Sequence, residues 1–294
     1  MSSYQSQTPS TPPLHLTIRS ARLIDHWAIA RLNTRAFFED ILFGKTIHPQ
    51  RYQYPNDSNQ YWLSRNLVSH FDYAHVFLLA CLRDEQGREK IVGQAHWSRI
   101  GLNDDENRRT GWGLRWWDPR QVLKPLVSQL IRLANLFWTN RAADPEREGI
   151  VERSYGYIDH VWDPVKSRCP SLYLESMAVD PQWQGRGIGK LLVQRGISMA
   201  EKEGISASVI SADGKEGFYQ KCGFETGPVG RSGEGQGNPL FEVPGGLVFF
   251  HDAPGGKLDP REQTKEVAEV MAQLKKDMEH GWSSIWLKER DEGS

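Results

Sequence analysis

The chain of 294 residues carries 36 Lys and Arg against 37 Asp and Glu, a formal charge of −1, with 38% apolar and 11% aromatic residues. That length and apolar content suffice for a sizeable core without disulfide or metal staples, and the charge balance excludes the basic excess of a nucleic-acid or anionic-membrane binder. No apolar run approaches the roughly 18–20 residues of a bilayer span; the longest lie near 76–82 and 247–250.

Residues 1–13 are rich in Ser, Thr, Gln and Pro, without the basic and apolar regions of a secretory signal. They predict a disordered leader before one folded unit over 14–294 in a cytoplasmic protein. Alternation at Leu14, Leu16 and Ile18 predicts a strand over 14–19, and a helical stretch runs from Trp27 through Ile29, Ala30, Leu32 and Ala36 to Phe38. HVFLLACL at 75–82 reads as a buried strand, joined by the turn DEQG to a second strand, IVGQAHW at 91–97, as a hairpin. The cysteines Cys81, Cys169 and Cys222 are odd in number, widely spaced and without a CxxC pair. They read as reduced thiols, with no metal site and with Cys222 a small packed residue in preference to a nucleophile.

The polar stretch NDDENRRTG at 103–111 opens an insertion over 103–170. Trp97, Trp112, Trp116, Trp117, Trp138 and Trp162 concentrate in and beside it. Residues 119–138 predict an amphipathic helix with Val122, Leu126, Leu130, Leu133 and Phe137 along one side; Pro119 suits its first turn and Pro125 strains it. The tryptophans have two readings of equal standing, a wall for a cationic amine or the packing of an added helix.

Beyond Pro170 a strand is predicted over 171–179, a glycine loop over 180–189, a helix over 190–204 closed by Gly204, and a strand over 206–211. A short helix follows at 215–224, then GPVGRSGEGQGN, a flexible loop on composition, and a last strand at 245–252. From Asp259 a helix to residue 278 carries Val267, Val270, Met271, Leu274 and Met278 on one face. That face either packs on the core or serves a dimer, so monomer and homodimer both stand.

Gln184-Gly185-Arg186-Gly187-Ile188-Gly189 lies between strand and helix. Unsatisfied amides at a helix N-terminus attract phosphate, and glycine lets the backbone approach it. Arg186 and Lys190 add charge. A Walker A loop needs Ser or Thr where Leu191 stands, and a dinucleotide fingerprint needs a different glycine spacing nearer the strand.

In its context of strand, loop, helix, strand and a second helix bearing FYxxxGF, the segment resembles the GNAT superfamily of N-acetyltransferases, most strongly over 172–225. The family motif Q/R-x-x-G-x-G/A is matched by Gln184, Gly187 and Gly189, after Met177-Ala178-Val179 and Asp180-Pro181. The resemblance implies an α/β fold with a mixed, mostly antiparallel sheet splayed at the cofactor and flanked by helices. It implies acetyl-CoA as co-substrate, with the pyrophosphate on the amides of Gln184, Gly185, Arg186, Gly187, Ile188, Gly189 and Lys190. Backbone at Met177, Ala178 and Val179 would pair with pantetheine like an added strand, and Lys215 and Phe218 would add contacts. Tyr219 falls where the family often places a tyrosine that protonates the departing thiolate. The chain departs from the family at Ala212-Asp213-Gly214, where an asparagine is frequent.

Attack needs a neutral amine, which for a pKa of about 10.4 costs about 4.6 kcal/mol at pH 7 if nothing helps. The family answers with a carboxylate base and an oxyanion contact. Glu175 is the leading base: strand alternation groups it with Tyr173, Met177 and Val179, against Leu172, Leu174 and Ala178 on the opposite face. A lone glutamate in an apolar strand is costly to bury unless used or paired. An exposed or salt-bridged Glu175 is the competing reading. Asp159 and His160 are weaker bases, and Glu39 and Asp40 read as a solvated helix end in preference to negative charge offered to an amine. The function so implied is acetyl transfer to the primary amine of a small molecule by direct attack in a ternary complex. A protein or peptide acetyltransferase and a non-catalytic CoA-binding sensor are the alternatives.

Overall fold

The computed structural model describes residues 15–83, 86–103, 106–107, 120–163, 168–256 and 260–281. Leu14, the leader, Trp112, Trp116 and Trp117 lie outside them. Six strands, β1 (His15–Ser20), β2 (His75–Arg83), β3 (Glu89–Ile100), β4 (Ser171–Val179), β5 (Ser206–Ala212) and β6 (Gly245–His251), form one sheet in chain order. Neighbouring strands are antiparallel except β4 and β5, which are parallel and joined by a helix, as a parallel connection requires. The helices are α1 (His26–Ala36), α2 (Ser58–His70), α3 (Arg120–Phe137), α4 (Ile150–Ile158), α5 (Ile188–Glu203), α6 (Glu216–Cys222) and α7 (Pro260–Gly281). This is the expected mixed, mostly antiparallel architecture.

The glycines that punctuate the sequence set the limits of α5. Gly187 precedes its first turn at φ +79° and Gly204 caps its end at φ +70°, left-handed values that side chains resist. Helices α5 and α6 cover one face of the sheet, where Leu172, Leu174 and Val179 pack with Ile188, Leu192, Val193 and Phe224. The other face carries α1 over Phe77, Leu79 and Cys81, with Tyr61 and Trp62 of α2 in an adjoining cluster. Helix α2 and a π-helical turn over Ile41–Ile47 fill a stretch in which the sequence reading placed no element.

Two irregularities of β4 shape the centre of the sheet. It pairs with β5 only from Ser171–Ser206 to Leu174–Val209, and the strands part beyond that point. Against β3 the register jumps from Trp97–Leu174 to His96–Ser176, leaving Glu175 as the extra residue of a bulge. The bulge reverses alternation, which corrects the parity drawn from sequence. Tyr173 packs with Trp162 and Phe250 on the face opposite Leu172, whereas Met177 and Val179 join Leu172 and Leu174 on the α5 face.

Three other expectations change. The apolar stripe of α3 is exposed, with Val122 at 80% and Phe137 at 90%. The segment 227–238 packs against β6: Val229 and Ser232 donate backbone hydrogen bonds to Val248 and Gly246, and Arg231 is 2% exposed. In α7 the inward contacts are ionic, Arg168 reaching Glu266 at 2.8 Å and Arg231 reaching Asp277 at 3.2 Å. Val267, Val270 and Leu274 are only half-buried, and the side chain of Met278 lies outside the described ones.

Candidate active site

Where β4 leaves β5, a cavity of about 290 Å³ opens, lined by Asp40, Phe43, Glu175, Met177, Lys215 and Tyr219 among others. Beneath it the loop 180–187 leads into α5. Asp180 accepts a hydrogen bond from the Gln182 amide at 3.1 Å and pairs with Arg35 at 2.7 Å, anchoring the turn after β4. Gln184 turns its side-chain amide back to the Val179 carbonyl at 3.1 Å, so this side chain braces the loop against the strand. Gln184, Gly185, Arg186, Gly187 and Lys190 are exposed, and a Cβ on Gly185 or Gly187 would meet no protein atom within 4 Å. Both glycines hold positive φ, +74° and +79°, and lie in a cradle open at the N-terminus of α5. Arg186 stacks on Trp183 at 4.6 Å, with Lys90 on the same ring at 5.7 Å, which gathers positive charge beside the loop.

Gly189 serves packing: a Cβ there would lie 3.3 Å from the Phe218 ring and 3.5 Å from the Met177 sulfur. Phe218 thus sits between α5 and Tyr219, whose ring it meets edge-on at 5.1 Å. Tyr219 is buried, which raises its pKa well above that of a free phenol and keeps the proton on. Cys222, its neighbour one turn on, is buried with its thiol pushed up, the inert small residue anticipated. Asp40 caps the π-helical turn by accepting from the Phe43 amide at 2.8 Å, and burial pushes its carboxyl up against that bond.

A second cavity, about 390 Å³, lies on the α2 side of the bulge and is lined by Phe43, Trp62, His96, Ile131, Tyr155 and Glu175 among others. Phe43, Glu175 and Ser176 border both cavities, so the bulge is where they meet. Glu175 is half-buried and accepts a hydrogen bond from the Ser98 hydroxyl at 2.8 Å. That leaves its second oxygen without a hydrogen bond among the described residues. Tyr155 is raised by burial and then by the negative charge of Glu175. Arg65 pairs with Glu152 in the cavity wall.

The structure brings Glu175, Met177, Tyr219 and Lys215 to one cavity; the loop 184–190 and Phe218 do not line it, though Gly189 and Phe218 pack against Met177 and Tyr219, which do. It does not bring Asp159 or His160 there. Both are exposed and line neither cavity, and His160 pairs with Glu234 at 2.8 Å. Nor do the described tryptophans of the insertion line either of these two cavities. Trp97 is buried on the α5 face, Trp162 donates to Ser208 at 3.0 Å within the core, and Trp138 is 63% exposed. The aromatic wall is Phe43, Trp62 and Tyr155, and sequence reading missed it together with His75, His96 and Arg65. One signal was available for the histidines. Folding the hairpin about its turn sets His96 opposite Phe77, diagonal to His75.

Residues 142–226 match the family described as an acetyltransferase (GNAT) domain. Among solved structures, the histone acetyltransferase HPA2 and related acetyltransferase of Corynebacterium glutamicum is similar at 20% identity, covering 81% of this chain and 97% of that one, with a TM-score of 0.47. The GNAT family N-acetyltransferase YhbS of Escherichia coli, in complex with CoA, is similar at 14% identity over 83% of this chain and 84% of that one, TM-score 0.40. A GNAT family acetyltransferase of Brucella melitensis, in complex with acetyl-CoA, is similar at 16% identity over 71% and 82%, TM-score 0.34. The family match spans α4 to the end of α6, and so takes in the bulged strand, the glycine loop and Tyr219. The matched segment is thus similar to acetyltransferases of the GNAT class.

Proposed function

We propose that the protein moves an acetyl group from acetyl-CoA to the primary amine of a small molecule, both bound together. The observation that carries this reading is the meeting of two cavities at Glu175, one at the splay of β4 from β5, the other lined in part by aromatic side chains.

The residues present fit the co-substrate. Gly185 and Gly187 leave a side-chain-free cradle before α5, and β4 beyond Leu174 runs without a strand partner on its β5 side among the described residues. The amides of residues 184–190 hold the pyrophosphate, with Arg186 and Lys190 adding charge, while Gln184 contributes its backbone and fixes the loop. The backbone of Met177, Ala178 and Val179 takes the pantetheine arm as a strand takes its neighbour, and Lys215 and Phe218 flank it. Bound acetyl-CoA supplies an activated acyl carbon and a thiolate leaving group.

Tyr219, protonated at all working pH, donates its phenolic proton to the departing sulfur. Glu175 faces the amine, neutralises its charge and orients it through the oxygen that Ser98 leaves free. The limited volume of the acceptor cavity, about 390 Å³, favours a small amine over a peptide.

The test is release of free CoA thiol from acetyl-CoA across pools of polyamines, arylalkylamines, amino sugars, amino acids and lysine peptides. Release with one small-amine pool supports the reading and names the substrate class. Release with lysine peptides alone overturns the small-molecule assignment, and release with no pool overturns the catalytic one. Glu175→Gln lowers turnover by about a hundredfold with CoA affinity retained.

A further inference from the structure

Beside Glu175, the acceptor cavity contains two histidines that contact each other. His75 Nδ1 and His96 Nε2 share a hydrogen bond of 2.9 Å, and both rings line the cavity beside Glu175. Phe77 lies flat on the His96 ring, centroids 3.9 Å apart and 9° from parallel, fixing its plane. On its far side His75 Nε2 lies 3.9 Å from Asp72 Oδ2, and Asp72 pairs with Lys124 on α3. His96 is 8% exposed as a whole residue, the side chains of His75 and Asp72 are 19% and 15% exposed, and that of Lys124 is 36% exposed. The row runs from the cavity to the surface.

Acetyl transfer to an ammonium has a proton to export. The nitrogen enters with three protons and leaves as an amide with one. A C–N bond forms, the C–S bond breaks, one proton ends on the thiol sulfur and one goes to solvent. Tyr219 accounts for the proton on sulfur. The other must travel from the amine to solvent.

We propose that His96 takes this proton from the amine and passes it through His75 toward Asp72 and the surface, so that the acceptor site drains by a two-histidine relay. The transfer changes no bond other than N–H bonds: His96 gains the proton on its free nitrogen and gives up the one it shares with His75, which does the same toward Asp72. The inference rests on the reading of this cavity as the amine site.

The electrostatics agree with the geometry. Burial holds His96 well below the usual histidine range, with His75, Arg65 of α2 and His26 of α1 adding to the effect. Burial lowers His75 as well, opposed by Glu175 of β4 and Asp72, while Lys124 of α3 reinforces it. From α4, Glu152 and Tyr155 also line the cavity. Both rings are therefore neutral near pH 7, each with one N–H and one acceptor nitrogen, the state a relay requires.

The experiment compares wild type, His96→Gln and His75→Gln with the best amine from the thiol-release screen. Glutamine keeps a hydrogen-bonding side chain in place but cannot carry a proton. The expected result is a fall in kcat of about a hundredfold in each variant with unchanged CoA affinity, and saturable recovery of at least tenfold when imidazole is added to His96→Ala. Full kcat in either glutamine variant overturns the relay while leaving the transferase standing. If CoA affinity also falls in a glutamine variant, imidazole recovery decides: recovery supports the relay and its absence overturns it. A wild type that releases no thiol with any amine overturns the transferase reading, and the relay with it.

Discussion

The indole of Trp97 lies flush against Gly196: a Cβ on that glycine would come within 2.1 Å of the ring. Trp97 is fully buried at the register shift of β3, so helix α5 can approach the bulged part of the sheet only where it lacks a side chain. Gly196→Ala gains up to about 1 kcal/mol of helix propensity and loses about 1–3 kcal/mol to overpacking. Urea denaturation shows a net loss of stability. A stabilised variant would mean that Trp97 moves freely.

Tyr219→Phe removes the phenolic proton and keeps the ring that packs Phe218 and Phe224. Turnover falls by about a hundredfold, and CoA affinity by isothermal titration stays within about twofold. Equal turnover would remove Tyr219 as the acid.

Gly187→Asp places a carboxylate at the N-terminus of α5 with nothing of the protein in its way. The left-handed backbone costs about 1–2 kcal/mol, which the fold withstands, but the charge occupies the pyrophosphate cradle. CoA binding is abolished in titration while the circular dichroism spectrum is retained. Undiminished affinity would place the pyrophosphate elsewhere.

His26 provides a pH dependence of stability. It is fully buried between His70 and Phe77, neither ring nitrogen has a hydrogen-bond partner, and burial lowers its pKa to about 3. The unfolded chain takes up a proton near the ordinary histidine value of about 6.5, and the native state does not until far lower pH. Stability is therefore complete above that value and is lost as pH falls below it, by about 1.4 kcal/mol per pH unit for this residue. Buried His75 and His96 act in the same direction. Urea midpoints drop between about pH 7.5 and pH 5.5, and the drop is shallower in His26→Leu. An unchanged slope in that variant would assign the effect to the other histidines.

What the sequence made legible follows the reach of each signal. The run from Ser171 to Phe224 alternates, breaks at glycines and resumes with helical spacing. Its strand β4 occupies the predicted residues, and α5 starts two residues before the predicted helix, at Ile188. Alternation alone does not reveal a bulge, because the insertion of Glu175 depends on the register against β3; Met177 and Val179 were therefore assigned to the wrong face. Composition marked 227–238 as flexible, yet its amides pair with β6, a contact that lies outside any local window. Helix α3 shows the converse, with a clear apolar periodicity whose stripe faces outward. The aromatic wall draws Phe43, Trp62 and Tyr155 from three separate segments, and only the folded chain unites them.

The parting of β4 from β5 has a consequence for how the protein associates. A sheet of six strands ordinarily has two edges, and this one has two more inside it, where β4 runs on past Leu174 and β5 past Val209. Each offers unpaired main-chain donors and acceptors, the same invitation that makes outer strands templates for association. On the function proposed above, an extended peptide of suitable width competes for that slot with the pantetheine arm, and protein without CoA is the form more prone to join its own kind.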